Sequence, residues 1–198
     1  MRSPETTREL LLRAARREFA DHGIAGARVD RIAARAGVNK QRIYAYFGDK
    51  ERLFQHVVTE ALGELGRAVP LEGDTDPAAY ARSVHEYHRD HPELLRLLLW
   101  EALHYGDRPL PEEEARAGLY TGKDRALAAA LGEEPSERTR MLLLTLIGVA
   151  AWPTIVPQLV RMTLGRDPEA PDTREELADF LTGFVRAAVE GGLSAPEA

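Results

Sequence analysis

The segment from residue 29 to residue 47 places three small or aliphatic residues at fixed intervals. Ala33 is followed four residues later by Gly37, and Ile43 comes six residues after the glycine. A helix-turn-helix needs this order, because alanine lets two helices approach closely, glycine adopts the positive φ of the turn, and an aliphatic side chain closes the core between them. The spacing therefore predicts two short helices joined by a tight turn at Gly37.

The second of these helices, from about Lys40 to Tyr46, begins with long polar side chains. Lys40, Gln41 and Arg42 stand at its N-terminal end, and Asn39 precedes it as a cap. Side chains of these types bond phosphate oxygens or the edges of guanine and adenine in the major groove. The pattern indicates a recognition helix for double-stranded DNA. An ordinary solvated helix face is the alternative interpretation of the same residues.

The charge of the chain is distributed unevenly along its length. Residues 1–56 contain 12 Lys and Arg against 7 Asp and Glu, a balance of +5, while the remaining residues contain 14 against 25, a balance of −11, which together give the net charge of −6. A basic segment attracts the phosphates of DNA, and an acidic remainder limits nonspecific binding to them. Chance unevenness of surface charge is the alternative explanation.

The stretch GARVDRIAARAGVNKQRIYAYFGDKERLF, residues 26–54, resembles the DNA-binding module of the tetracycline-repressor (TetR) family. The resemblance implies that Lys40, Tyr44, Tyr46 and Lys50 contact phosphate and that Gln41 and Arg42 face the bases. It is closest in the aromatic cluster of Tyr44, Tyr46 and Phe47 and in the run Asp49, Lys50, Glu51, although Tyr44 and Tyr46 could instead be core aromatics.

Two positions depart from the family pattern. Arg28 stands where the family usually has a capping Thr or Ser that also touches phosphate, so a cap is lost and a charge is gained. Gln41 and Arg42 replace the small pair that is common there. Both changes should alter sequence preference and leave DNA binding intact.

The rest of the chain predicts an all-α protein of about nine helices, with a DNA-binding domain over residues 1–49 and a helical body over residues 50–198. Capping boxes are predicted at Thr6 with Glu9 and at Thr173 with Glu176. Asp76 followed by Pro77 predicts another helix start. The absence of cysteine and of an apolar N-terminal leader favours a cytoplasmic protein without disulfides.

The body carries aromatic and histidine side chains that could surround a guest molecule. Side chains that are largely apolar but end in a few polar atoms are typical of a small-molecule pocket. We therefore expect an effector that is small and largely apolar or aromatic, whose binding releases DNA. The set contains no Arg or Lys, so a strongly anionic ligand is not expected unless Arg96 or Lys123 turns inward. The predicted pocket residues are Tyr80, Val84, Tyr87, His88, Trp100, His104 and Tyr120.

The resemblance also implies a homodimer through the last two long helices. The final one has an apolar stripe at helical spacing, from Leu177 to Val189. Packing within one subunit is the alternative use of this stripe. The expected dimerisation residues are Leu146, Val149, Leu177, Phe180, Leu181, Phe184, Val185 and Ala188.

Residues 141–160 form an uncharged stretch of membrane-spanning length, but Pro153 and Pro157 favour a buried helix that kinks or breaks near Trp152. The recurrence of histidine at His85, His88 and His91 suggests a metal site. We expect no metal, because His88 and His91 fall on the inward stripe of their helix while His85 lies toward the rim.

An enzyme would need a nucleophile or an acid-base pair, and the sequence contains no phosphate-binding glycine loop, zinc-protease motif or nucleophile elbow. No catalytic residue and no cofactor is therefore predicted. The expected partners are DNA, a second copy of the chain and an effector. A DNA-binding regulator or architectural protein without an effector is the alternative function.

Overall fold

The computed structural model describes residues 6–111 and 113–191. Every regular element within these ranges is an α-helix, in agreement with the predicted fold class, and there are ten of them against about nine expected. The helices are α1 (Thr7–Gly26), α2 (Val29–Ala36), α3 (Gln41–Phe47), α4 (Lys50–Ala68), α5 (Pro77–Asp90), α6 (Pro92–Tyr105), α7 (Glu113–Ala130), α8 (Glu137–Ile155), α9 (Pro157–Leu164) and α10 (Pro171–Glu190).

The chain forms two compact units. Unit 1 comprises Met1–Glu64 and Glu93–Pro111, and unit 2 comprises Leu65–Pro92 and Glu112–Ala198. This division differs from the predicted boundary between residues 49 and 50, because most of α4 and α6 packs with the N-terminal helices. Long-range packing decides this grouping, and such packing has no local sequence signal.

The core of unit 1 is built from α1, α3, α4 and α6. The rings of Phe19 on α1 and Phe54 on α4 meet edge to face with their centroids 5.1 Å apart. Ile43 of α3 and Leu94 and Leu97 of α6 are completely buried. Burial of such side chains contributes roughly 1.5–3 kcal/mol each to folding, so α4 and α6 stabilise the helix-turn-helix from outside its own sequence.

α1 is interrupted by a kink at Gly23, which has φ of 65°. The backbone carbonyl of Ala20 accepts hydrogen bonds from Trp100 Nε1 at 3.2 Å and Arg96 Nε at 2.9 Å, both from α6. A Cβ atom at Gly23 would lie 2.7 Å from the indole ring of Trp100. Glycine is therefore required here both by the backbone conformation and by the close approach of α6.

The composition of α6 predicts an element surrounded by other helices, and this expectation is wrong for the single chain. Leu94, Leu95 and Leu97 are buried, whereas Leu103 is 75% exposed and Leu99 is also exposed. An α-helix meets its neighbours on one stripe at a time, so an all-round apolar sequence does not ensure all-round burial.

In unit 2, α5 packs against both α8 and α10. The buried side chains of this core are Ala78, Tyr80, Ala81, Val84, Leu146, Ala150 and Val185. A smaller cluster joins α7 to α8 through Leu127, Leu142 and Leu143. These two clusters fix the positions of the polar side chains on α5 and α7 that are described below.

The helix starts follow the predicted caps with one exception. Thr6 and Glu9 form the expected capping box, and Asp76 accepts a hydrogen bond from the Ala78 backbone N–H. The box predicted at Thr173 and Glu176 is wrong, because α10 begins earlier, at Pro171. Proline is favoured in the first turn, where its missing N–H costs nothing, and it places Thr173 inside the helix.

The apolar stretch breaks between α8 and α9. Pro153 lies within α8, and the chain turns by 81° at Val156, so the break falls four residues after the predicted position at Trp152. Pro157 begins α9 as its first residue and cannot continue the hydrogen-bond ladder of α8. Among the described residues no single helix is long and apolar enough to cross a membrane, although the bent pair α8 and α9 passes that test together.

Candidate nucleic-acid interface

The turn between α2 and α3 has the geometry that the sequence predicts. Gly37 adopts the left-handed conformation, with φ of 69°, and its N–H caps α2 by bonding to the carbonyls of Ala33 and Ala34. Asn39 Oδ1 accepts a hydrogen bond from the Gln41 N–H at 3.0 Å, although the N-cap position of α3 is Lys40 and not Asn39 as predicted. The turn therefore fixes the direction in which α3 leaves α2.

α3 has one buried face and one exposed face. Ile43 and Phe47 are buried, whereas Lys40, Gln41 and Arg42 are exposed at its N-terminal end. Recognition helices contact base edges through these first residues. The side chains with the expected donors are thus free to meet a nucleic acid.

The basic side chains around α3 have different local partners. Lys40 forms an exposed ion pair with Asp30, 3.1 Å between Nζ and Oδ1. Lys50 is half-buried, and its Nζ donates to the Ala27 carbonyl at 3.4 Å. Arg28 is exposed. Surface ion pairs contribute little to stability, so Lys40 can exchange Asp30 for a phosphate at small cost.

The aromatic cluster divides between core and surface. Tyr44 is 49% exposed and Tyr46 is 47% exposed. Phe47 is buried, and its ring lies 5.4 Å from that of His56, centroid to centroid. The alternative that both tyrosines are core residues therefore does not apply to this chain.

Glu18 supports the helix-turn-helix from α1, and the sequence interpretation missed it. Its buried carboxylate accepts hydrogen bonds from the Arg28 backbone N–H at 3.0 Å and from Arg31 Nε at 2.7 Å. Burial acts to raise the pKa of Glu18, but the bonds from Arg31 and Arg28 outweigh burial and lower the pKa. The group therefore binds as a carboxylate.

This contact satisfies the backbone N–H of Arg28, the N-cap residue of α2, but it does not replace a Thr or Ser cap, whose side chain would accept from an N–H of the first turn of α2. The sequence contained a signal that Glu18 is buried, namely its helical spacing. Glu18 falls three residues after Ala15 and seven after Leu11, on the buried face of α1.

The predicted effector residues belong to both units. Trp100 and His104 lie in unit 1, where Trp100 is bound to Ala20 and His104 Nε2 is 3.6 Å from Glu51 Oε1. Trp100 therefore has a structural role that the sequence did not predict. The other five predicted residues lie in unit 2.

Within unit 2 the predicted effector residues differ in exposure. Tyr80, Val84 and His88 are buried, Tyr87 is half-buried and Tyr120 is 39% exposed.

The inward stripe predicted for α5 needs two corrections. His91 is exposed and its ring lies 4.3 Å from that of Tyr87, whereas His85, expected at the rim, is 4% exposed. His85 is buried because α8 packs beside it and Ala150 O accepts from its Nδ1 at 3.0 Å. No group of three metal-ligating side chains occurs in the part of the chain that the structure describes.

Lys123 of α7 turns toward Tyr80. Its Nζ lies 3.2 Å from the Tyr80 hydroxyl oxygen and 6.0 Å from the centroid of that ring. Burial lowers the pKa of Lys123 and raises the pKa of Tyr80 to about 12. Of the two cations that the sequence left open, Lys123 turns toward a predicted effector residue, Tyr80, whereas Arg96 bonds to Ala20.

His88 is a buried imidazole beside these groups. Its Nδ1 has no hydrogen-bond partner among the described residues. Burial lowers its pKa to about 4, and the neighbouring His85 and Lys123 act in the same direction. His88 is therefore neutral in the folded protein near pH 7.

The predicted dimerisation residues also fall into two groups. Leu146, Leu181 and Val185 are buried within the single chain. Leu146 and Val185 belong to the core that α8 and α10 form with α5. Phe180 and Phe184, by contrast, are 71% and 48% exposed. Val149, Leu177 and Ala188 are half-buried.

The comparison with known sequences covers both units. The family model described as "Bacterial regulatory proteins, tetR family" matches residues 11–57, and the one described as "Tetracyclin repressor-like, C-terminal domain" matches residues 76–186. The HTH-type transcriptional repressor SCO4008 of Streptomyces coelicolor is 43% identical over 169 residues, which are 83% of this chain and 86% of that protein. The HTH-type transcriptional regulator RutR of Escherichia coli K12 is 33% identical over 136 residues, 66% of this chain and 63% of RutR.

Solved structures agree with these sequences. The Streptomyces coelicolor protein SCO4942 has a TM-score of 0.72 at 30% identity, with coverage of 92% of this chain and 98% of that chain. A TetR-like transcriptional regulator from Rhodococcus sp. RHA1, at 21% identity and a TM-score of 0.63, shares the fold over 96% of this chain and all of its own.

The exposed α3, the glycine turn and the helical body define a DNA-binding transcriptional regulator of the helix-turn-helix class. Proteins of this kind are regulators and not enzymes. The chain belongs to the TetR family.

Proposed function

We propose that this protein is a repressor that binds a near-palindromic operator as a two-fold dimer and leaves the DNA when a small effector binds unit 2. The observation that carries the proposal is the set of three exposed donors, Lys40, Gln41 and Arg42, at the start of a recognition helix whose other face is buried. One helix of seven residues reads few bases, and a second copy doubles the site.

The exposed apolar face of α8 and α10 supports dimerisation. Besides Phe180 and Phe184 on α10, it includes Leu144 on α8, which is 72% exposed, and Trp152, which is 53% exposed. Contiguous apolar surface of this kind is typical of protein interfaces. A two-fold dimer would bury these side chains against their own copies.

A groove on the same face would accept side chains from the partner subunit. Its volume is about 460 Å³, and Gly148 leaves it open because no side chain projects there. The groove is lined by Thr145, Gly148, Val149, Trp152, Pro153 and Leu181. A large apolar knob such as Phe184 of a second copy suits a groove of this composition.

The effector region is best supported around Tyr80, His88 and Lys123. Tyr80 belongs to the buried core of α5, α8 and α10, Lys123 of α7 donates to its hydroxyl, and the buried Nδ1 of His88 has no partner among the described residues. A small molecule with an apolar or aromatic body and one hydrogen-bond acceptor matches them. Its binding would act on DNA through α4, which continues from unit 1 into unit 2.

A direct experiment follows the two binding events together. Compounds that raise the melting temperature of the protein are tested for release of a fluorescent operator duplex selected from random DNA. We expect the active compounds to lower operator affinity in the wild type and to lose this effect in Lys123→Met, whereas Arg125→Met, on the exposed side of α7, should respond normally. A regulator without an effector would show no compound that affects both signals.

A further inference from the structure

The break between α8 and α9 leaves a cavity of about 270 Å³ inside unit 2. It lies away from Tyr80 and Lys123, at the end of α5 and the beginning of α10. Its walls are formed by His85, Arg89, Pro92, Pro153, Thr154, Pro157, Val160, Pro168, Glu169, Arg174 and Leu177. The proposed effector region and dimer face do not account for this cavity.

His85 contributes a hydrogen-bond acceptor to the cavity wall. The carbonyl of Ala150 can only accept, so the imidazole Nδ1 at 3.0 Å must carry the proton. Burial lowers the pKa of His85, which keeps the ring neutral. Nε2 is then a bare acceptor, and none of the described residues bonds to it.

Two arginines contribute donors. Arg89 bonds to Asp90 through Nε and Nη2, at 2.9 and 3.3 Å, and Arg174 bonds to Glu169 through Nη2. The two carboxylates offset the two positive charges but do not use all the N–H groups. Arg174 Nε is buried and has no partner among the described residues, so its N–H lacks an acceptor.

Apart from Thr154, the remaining walls are apolar and stiff. Four prolines, Val160 and Leu177 surround the space, and proline offers neither a backbone N–H nor side-chain freedom. An apolar cavity of about 150 Å³ holds benzene, so this one has room for a single ring with small substituents.

From these walls we propose that the cavity binds a small aromatic acid that also carries a hydroxyl group. Its carboxylate accepts from Arg174, with Arg89 nearby, its hydroxyl donates to His85 Nε2, and its ring packs among the prolines. This site is independent of the proposed effector region, since no residue is shared between them.

The test uses isothermal titration of the full-length protein with 4-hydroxybenzoate, benzoate and phenol. We expect 4-hydroxybenzoate to bind roughly tenfold more tightly than either analogue, because each analogue lacks one polar group and a tenfold difference, about 1.4 kcal/mol, is the size of one hydrogen bond. Failure of 4-hydroxybenzoate to bind at millimolar concentration, or equal affinity for all three compounds, would overturn the proposal.

Two variants locate the binding. Val160→Trp fills the cavity, and Arg174→Met removes the guanidinium from its rim; each should weaken 4-hydroxybenzoate binding at least tenfold. Arg166→Met is the matched control, because Arg166 also pairs with a glutamate, Glu176, but does not line the cavity. If Val160→Trp does not fold, Arg174→Met decides alone. Unchanged affinity in Arg174→Met would contradict the assignment.

Discussion

Glu18 is a buried carboxylate that joins α1 to the start of α2. It is 1% exposed, and its carboxylate satisfies the Arg28 N–H that begins α2. We expect Glu18→Gln to lower the free energy of unfolding by about 1–3 kcal/mol, because one hydrogen bond to a charged partner is lost and a buried polar group remains. Urea titration measures this change.

Asp21→Asn is the control for Glu18→Gln. Asp21 lies one turn further along α1 and is exposed, so its substitution should change stability by no more than about 0.5 kcal/mol. Equal effects of the two substitutions would mean that the carboxylate of Glu18 does not support α2.

The buried, neutral His88 should make the free energy of unfolding depend on pH. Its pKa in the folded protein is about 4, below the ordinary value of 6.5 that it regains on unfolding, so the unfolded chain binds the proton first as the pH falls. The free energy of unfolding is therefore not reduced by His88 above pH 6.5, and it falls by up to about 3 kcal/mol as the pH is lowered toward 4. The charged or titratable neighbours are His85 on the same helix and Lys123 on α7.

We therefore expect His88→Leu to lose less stability than the wild type between pH 6.5 and pH 4 in urea titrations. His91→Gln, at the exposed end of the same helix, should keep the wild-type pH dependence. Identical pH profiles for the wild type and His88→Leu would show that His88 is not held neutral by the fold.

At the scale of helices, α8 and α10 each have two apolar faces with different expected roles. Leu146 faces the core of its own subunit, whereas Phe184 is exposed. Leu146→Ala should therefore cost about 2–5 kcal/mol of unfolding free energy and leave a dimer. Phe184→Asp should yield a folded monomer, because a carboxylate would be buried at the interface.

Light scattering and circular dichroism at micromolar concentration separate these outcomes. A monomeric wild-type protein, or a Phe184→Asp variant that still dimerises, would exclude this face as the dimer interface.

The sequence predicted those helix features that local chemistry determines. Thr6, Asp76 and Gly37 act through their own backbone neighbours, and the structure confirms all three. The box at Thr173 was wrong because Pro171 offers a better first turn two residues earlier. Local signals compete, and their order of strength decides where a helix begins.

Across the whole molecule, the features that sequence reasoning missed depend on contacts between distant segments. The pairing of Glu18 with Arg28, the hydrogen bond from Trp100 to Ala20 and the burial of His85 against α8 all join helices far apart in the chain. Helical periodicity identifies a buried face but does not say which helix covers it. The recognition helix was predictable because its turn and its exposed residues are contiguous in sequence.

We propose that two copies of α3 read one operator. Fluorescence anisotropy should measure binding of the wild type to a duplex selected from random DNA, in parallel with a variant in which Lys40, Gln41 and Arg42 are all alanine. We predict that the selected site is a near-palindrome whose half-sites are about one helical turn, or a multiple of it, apart. We also predict that the variant loses the preference for this site over random duplex while its circular dichroism is unchanged. Equal affinity of the wild type and the folded variant for the selected duplex would contradict the account.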